Sequence, residues 1–240
     1  MIIKLRQKKY RDETELFIID GKKILDEALR SHAIIERVFF SEQLKGSEYV
    51  QKYLTSDLQV FWIKKSIFEG LTGMKNPEGV LAIVKKCRFG IKRSNRYIIL
   101  EDIQDPNNVG TIIRTADAAG FDTIIGTSKT VDFFNEKVVR GSMGSLFHLN
   151  LKTTEDCLQL ISSLHDDGVK IIGTALDGVN LFEQTCKYDS FALILGNESR
   201  GMSEALKNKC DTLYQIPIFG QAESLNVSVA AGIVMYQLIK

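Results

Sequence analysis

YIILEDIQDPNNVGTIIRTADAAG, residues 97–120, decides the fold. Tyr97–Ile103 is a nearly continuous apolar run, the pattern of a strand buried on both faces. Asp-Pro and Asn-Asn then signal a turn. From Val109 onward, Ile112, Ile113, Ala116 and Ala119 share one helical face, and Gly120 supplies a C-terminal stop.

The same grammar continues toward the C-terminus. FDTIIG (121–126), VKIIGTAL (169–176) and FALILG (191–196) read as strands. TEDCLQLISSLHDDG (154–168) reads as a helix capped by Thr153 or Thr154, and SLNVSVAAGIVMYQLIK (224–240) as a closing helix. Repeated strand–helix pairs with apolar strands predict an α/β parallel sheet covered on both faces.

Toward the N-terminus the pattern is shorter and more charged. ELFIID (15–20), RVFFS, LQVFWI and GVLAIVKK (79–86) predict strands, with helices over Lys22–Arg30 and around Tyr49–Leu54. They form a smaller α/β domain over residues 1–90. A linker is expected at 91–96, overlapping the basic stretch Lys85–Asn95, and the larger domain spans 97–240.

The 240 residues are 44% hydrophobic and 25% charged, ordinary for a globular chain and too apolar for disorder. No run approaches the ~20 apolar residues of a membrane helix. The charged N-terminus does not fit a signal peptide, so a cytoplasmic protein without membrane contact is expected. Cys87, Cys157, Cys186 and Cys210 form no CxxC pair and only three histidines accompany them, so neither a metal site nor a disulfide framework is expected. They read as buried or inert thiols. The net charge of +1 hides an asymmetry: residues 1–95 carry 19 Lys and Arg against 12 Asp and Glu, while residues 96–240 carry 12 against 18. A basic front half suits a polyanion, though a merely soluble lysine-rich surface has the same count.

Ligands of parallel α/β sheets bind beyond the carboxyl ends of the strands. DPNNVG, GNESRG (196–201) and IPIFGQAESLN (216–226) occupy that position. GNESRG is not the dinucleotide fingerprint GxGxxG, which disfavours a nucleotide-dependent oxidoreductase. Met202-Ser203 stands where a P-loop needs Lys-Ser/Thr. An adenine-bearing ligand with a small charged tail remains compatible.

Three segments, EDIQDPNNVGTIIRTADAAGF, LILGNESRGMSEAL and IPIFGQAESLNVSVAAGIVMYQL, resemble the signature motifs of the SpoU class of SPOUT RNA methyltransferases, the TrmH-like family. EKVVRGSMGSLFHL (136–149) is a weaker intervening match, and the front half resembles the family's substrate-binding domain. The resemblance implies methyl transfer from S-adenosylmethionine to a ribose 2′-hydroxyl of RNA without a metal. It also implies a deep C-terminal trefoil knot and a homodimer in which both subunits build the site. Ribosomal RNA is preferred over transfer RNA as substrate; a non-catalytic RNA-binding or ribosome-assembly protein on the same scaffold is the other alternative.

By the same resemblance Asn108, Arg114, Glu198, Ser224 and Asn226 are the candidate catalytic residues. Arginine holds its proton up to a pKa above ~12, so positioning phosphate and stabilising a developing alkoxide suits Arg114 better than acting as base. Glu198 is expected to hydrogen-bond Asn108 or Arg114, or else to cap the helix that follows. Ser224 suits either a substrate-facing hydroxyl or the N-cap of the last helix. Thr174, Ala175, Leu195, Gly196, Asn197, Gly201, Ile216, Ile218, Ser224, Leu225 and Asn226 are expected to border the cofactor. Arg114 and Arg140 are expected at RNA phosphates, with Tyr10 and Phe89 as further RNA contacts.

Overall fold

The computed structural model describes residues 1–54, 58–86 and 95–240. They gather into two compact units, Met1–Phe89 with Asp132–His148, and Gly90–Val131 with Leu149–Lys240.

The first unit opens with α1 (Ile2–Leu5), α2 (Lys8–Thr14), β1 (Leu16–Asp20), α3 (Lys22–Arg30) and β2 (Ile35–Ser41). It continues with α4 (Glu48–Leu54), β3 (Val60–Ile63), α5 (Lys65–Leu71) and β4 (Val80–Lys85). Glu15, expected to open β1, instead closes α2 with a φ of 54°. The described strands pair in the order β1-β4-β2-β3; β4 runs antiparallel to both neighbours, and β2 and β3 are parallel. Val80–Val84 are buried on both faces, which suits β4 to the middle. One sheet face is covered where Ile2, Leu5 and Phe68 meet Leu16, Ile18, Leu81 and Ile83. α3 turns Ile24, Leu25 and Ala28 inward, as their spacing predicts.

The second unit begins with β5 (Arg96–Leu100), α6 (Pro106–Ala118) and β6 (Thr123–Thr127), after which the chain forms α7 (Glu136–Ser142) within the first unit. The division expected from sequence puts Asp132–His148 with the C-terminal domain. The segment clusters with the first unit because its aromatic rings pack there. Phe134 lies 4.8 Å and Phe147 6.2 Å from the ring of Phe17. Arg11, only 2% exposed, pairs with Asp132 at 2.6 Å and donates to the carbonyls of Leu5 and Arg6.

The chain then completes the second unit with β7 (Asn150–Thr154), α8 (Cys157–Asp166), β8 (Lys170–Asn180), β9 (Phe191–Leu195), α9 (Glu204–Lys207), β10 (Thr212–Gln215) and α10 (Val227–Leu238). Among the described residues six strands form one parallel sheet, β10-β8-β9-β5-β6-β7. Ile161, Leu164 and Leu206 pack on Ile99, Ile171 and Ile194 across one face. α10 packs on α6 and reaches β9.

Several boundaries differ from the sequence expectation. DPNN is no turn: Asp105 caps α6 by accepting from the Asn107 amide at 2.8 Å, and Pro106 takes the first helical position. β5 therefore stops at Leu100. The cap of α8 is Asp156 rather than Thr153 or Thr154, because Thr154 is the last residue of β7. Likewise Asn226, not Ser224, caps α10. The short strands β7 and β10 and the helices α5 and α7 were not expected. Most of the expected linker, together with Cys87 and Phe89, lies outside the described residues.

Cys157 and Cys210 sit against the second unit's core, and burial pushes their thiols up to about 11 and about 12. Cys186 is exposed, so of the expected alternatives, buried or inert thiols, burial does not hold for it. Among the described residues no helix is long and apolar enough to cross a membrane.

Candidate active site

The strand order brings the carboxyl ends of β10, β8, β9 and β5 side by side. The loops predicted to hold chemistry leave three of these ends, and each is tied down by its own side chains.

Asn108 sits in the first turn of α6 and is 7% exposed. Its amide nitrogen donates to Glu198 Oε1 at 3.1 Å, and its Oδ1 accepts from Asn226 Nδ2 at 3.0 Å. Asn226 Oδ1 in turn accepts from the backbone amides of Ser228 at 2.9 Å and Val229 at 3.4 Å, and from the Ser228 hydroxyl. The direction of this relay is forced from both ends. An ionised carboxylate only accepts, so Asn108 must turn its NH2 toward Glu198. The free amides at the start of α10 only donate, so Asn226 must turn its oxygen toward them. One side-chain relay thus joins residues that are 90 and 118 positions apart.

Glu198 Oε1 also accepts the Asp105 amide at 3.3 Å. Its loop is held by Asn197, whose Oδ1 accepts from Ser199 at 3.0 Å and Arg200 at 3.2 Å while its Nδ2 donates to the Asp102 carbonyl at 2.8 Å. Gly196 is required by close backbone passage: a Cβ there would stand 2.2 Å from the Met202 nitrogen. Gly201 closes the turn at φ 67°.

Sequence reasoning missed Glu101, Asp102 and Arg200. Asp102 adopts φ 57°, unusual for a residue with a side chain. Its Oδ1 accepts from Thr127 at 2.7 Å and its Oδ2 pairs with Arg200 at 3.3 Å. Glu101 Oε2 accepts the Ser203 amide at 2.9 Å. The acidic start of EDIQDPNN was the available signal, but these partners lie about a hundred residues away.

Of the residues expected to border the cofactor, Thr174 and Ala175 lie in a bulge of β8. The β10 ladder jumps there from the Leu213–Gly173 pair to the Tyr214–Val179 pair. Thr174, Ala175, Ile216 and Ile218 are half-buried, and Leu195 is buried at the end of β9. Bare backbone at Gly196 beside aliphatic side chains from neighbouring strands fits an adenosine, which needs apolar walls and backbone hydrogen bonds. Ser224 and Leu225 are exposed in the loop before α10.

Arg114 is not part of the relay. It lies with Asn107, Thr111 and Ala118 on an exposed stripe of α6, without a hydrogen-bonding or ion-pairing partner among the described residues. Arg140 is half-buried in the first unit. Tyr10 is half-buried with Lys4 5.5 Å from its ring centre.

The model of the SpoU rRNA Methylase family matches residues 95–236, and that of the MRM3-like substrate binding domain matches residues 1–82. The chain belongs to the SpoU rRNA Methylase family. A relative from Bacillus subtilis (strain 168), the 23S rRNA (guanosine(2553)-2'-O)-methyltransferase RlmP, is 34% identical over 98% of this chain and 93% of its own. The rRNA methyltransferase of Sinorhizobium meliloti, crystallised with AdoMet bound, has 32% identity and a TM-score of 0.84, covering 99% of this chain and 92% of that one. The SpoU methyltransferase AviRb of Streptomyces viridochromogenes, at 23% identity and a TM-score of 0.87 over 99% of this chain and 95% of that one, shares the fold.

Proposed function

We propose that this chain transfers the methyl group of S-adenosylmethionine to a ribose 2′-hydroxyl of ribosomal RNA in the cytoplasm. The reaction class follows from membership of the family, and the RNA from the relative that acts on 23S rRNA. The observation that carries the reading is the Glu198–Asn108–Asn226 relay, which ties together the three loops that carry the family-like motifs.

When bound, S-adenosylmethionine supplies an already activated methyl group. Thr174, Ala175, Leu195, Gly196, Asn197, Gly201, Ile216, Ile218, Ser224, Leu225 and Asn226 hold it in this proposal. The chain's remaining task is to align one sugar oxygen and manage one proton. Asn108 and Asn226, locked by the relay, hold the loop walls in register. Ser224 offers an exposed hydroxyl beside the positive end of α10. Arg114 presents an exposed positive fork that suits a phosphate and a developing alkoxide.

The proposal includes three further elements. The first is a trefoil knot in the loops 196–201 and 216–226, supported by the path from β9 out to the edge strand β10 and back to pack α10 against β9. The second is a homodimer, supported by the apolar exposure of Phe219 (92%), Leu225, Val229 and Tyr236 on α10 and its leading loop. A second copy over this face meets the unpartnered Arg114. The third is RNA selection by residues 1–90, supported by their basic surplus and by the substrate-binding domain match, with Arg140 at phosphate.

The test is transfer of labelled methyl from S-adenosylmethionine to ribosomal RNA, followed by mapping of alkali-resistant 2′ positions. Incorporation by the wild-type chain that Arg114→Ala and Asn108→Asp abolish is expected. Wild-type incorporation no higher than that of Arg114→Ala would leave a binding protein instead.

A further inference from the structure

The basic first unit carries an uncovered pair of stacked aromatic rings. Phe39 on β2 and Phe61 on β3 are register partners, with ring centres 5.4 Å apart and planes inclined by 25°. β3 is the outermost described strand of its sheet, and Phe61 is 44% exposed. Phe39 is propped from beneath by the cluster containing Ile2, Leu5 and Phe68. The pair is therefore a rigid step whose outer ring faces solvent.

Its surroundings are cationic. Arg37 precedes Phe39 by two residues and so shares its sheet face. Its one hydrogen bond among the described residues is a weak one to the Met1 sulfur at 3.5 Å, and it has no carboxylate partner there. Lys64, exposed just beyond β3 and also without a partner among the described residues, follows Trp62 by two positions and adds charge at that strand's end rather than on the Phe61 face. Residues 1–86 carry 16 Lys and Arg against 12 Asp and Glu. An apolar protein partner has no use for unpaired cations beside an exposed ring, whereas a nucleotide needs both: a face for its base and a positive charge for its phosphate.

We propose that Phe61, backed by Phe39 and with Arg37 on the same sheet face, is a stacking platform for an unpaired base of the RNA substrate. The proposal rests on the reading that the chain acts on RNA, and it names the residues by which the first unit grips that RNA. Phe61 takes the base on its open face. Arg37 holds a neighbouring phosphate.

The experiment measures binding of a short fluorescein-labelled single-stranded RNA to the full chain by anisotropy, with no methyl donor present. Phe61→Ala is expected to weaken binding by roughly tenfold or more, while Phe61→Trp keeps it within about twofold. Arg37→Ala is expected to lower the salt dependence of affinity by about one counterion. Trp62, the single tryptophan, faces away from the platform against Phe40, so its emission reports that the alanine variants stay folded, and circular dichroism reports the same for Phe61→Trp. A folded Phe61→Ala variant that binds this RNA as tightly as the wild type would overturn the platform. So would a wild type with no affinity for it. Failure of the methyltransferase reading shows separately, as absent label transfer by a wild type that still distinguishes Phe61 from alanine in binding.

Discussion

The side-chain amide of Asn226 donates to the Oδ1 of Asn108 across 3.0 Å, joining the cap of the last helix to the first turn of α6. Because Asn108 spends its own NH2 on Glu198, neither amide can turn over without losing two bonds at once.

Asn108→Asp tests that statement with almost no change in shape. The new carboxylate faces Glu198 and can no longer donate to it. Loss of turnover by about a hundredfold is expected, together with roughly 1–3 kcal/mol of stability. Label transfer and urea unfolding measure the two. Asn226→Ala removes the relay and the cap together and is expected to cost about 1 kcal/mol through the cap alone. Unchanged turnover in Asn108→Asp would remove the relay from the mechanism.

Gly196→Ala asks whether the β9 exit can tolerate a methyl group. The obstacle is backbone, the Met202 nitrogen at 2.2 Å from the added carbon, so no rotamer change relieves it. Destabilisation of about 1–3 kcal/mol is expected, with loss of S-adenosylmethionine binding in calorimetry. Gly220→Ala, where a Cβ meets nothing within 4 Å, is the matched control.

Arg11→Met tests why Asp132–His148 joins the first unit. The pair with Asp132 is nearly buried, so removing one partner leaves an uncompensated charge, at a cost of about 3–5 kcal/mol. Adding Asp132→Asn is expected to recover much of that loss, and thermal unfolding of the two single variants and the double variant checks it.

Asp211 supplies a pH signature. Burial raises its pKa, but the Ile171 amide, His165 and Lys170 outweigh this and hold the carboxyl below its usual value. A lowered folded pKa means stability that is present above the unfolded value and lost as pH falls through the folded one. Asp211→Asn is therefore expected to lower Tm at pH 7 and to match the wild type in strong acid. A constant Tm difference across that range would exclude the linkage.

The helix over Lys22–Arg30 was legible because its apolar residues recur at helical spacing, and the core strands FALIL and YIIL because they are uniformly apolar. The caps were not. Asp156 and Asn226 compete with nearby Thr and Ser residues of similar capping propensity, and only packing decides between them, while Asp105 stood in a stretch that read as a turn. β10 and β7 escaped notice because edge strands are short and mixed in polarity. The candidate residues Asn108, Glu198 and Asn226 were legible through motif resemblance, and the partnership of Glu198 with Asn108 was one of two that it suggested.

Periodicity and composition by themselves determined that this chain makes a parallel α/β sheet behind a basic front half, because burial of apolar faces depends on local spacing. Which carboxylate meets which amide, that Asp102 rather than a glycine takes a left-handed backbone, and that residues 132–148 join the first unit were decided by tertiary structure. Those contacts join residues about a hundred positions apart, and a hydrogen bond needs its two atoms placed to within a few tenths of an ångström, which no local pattern encodes.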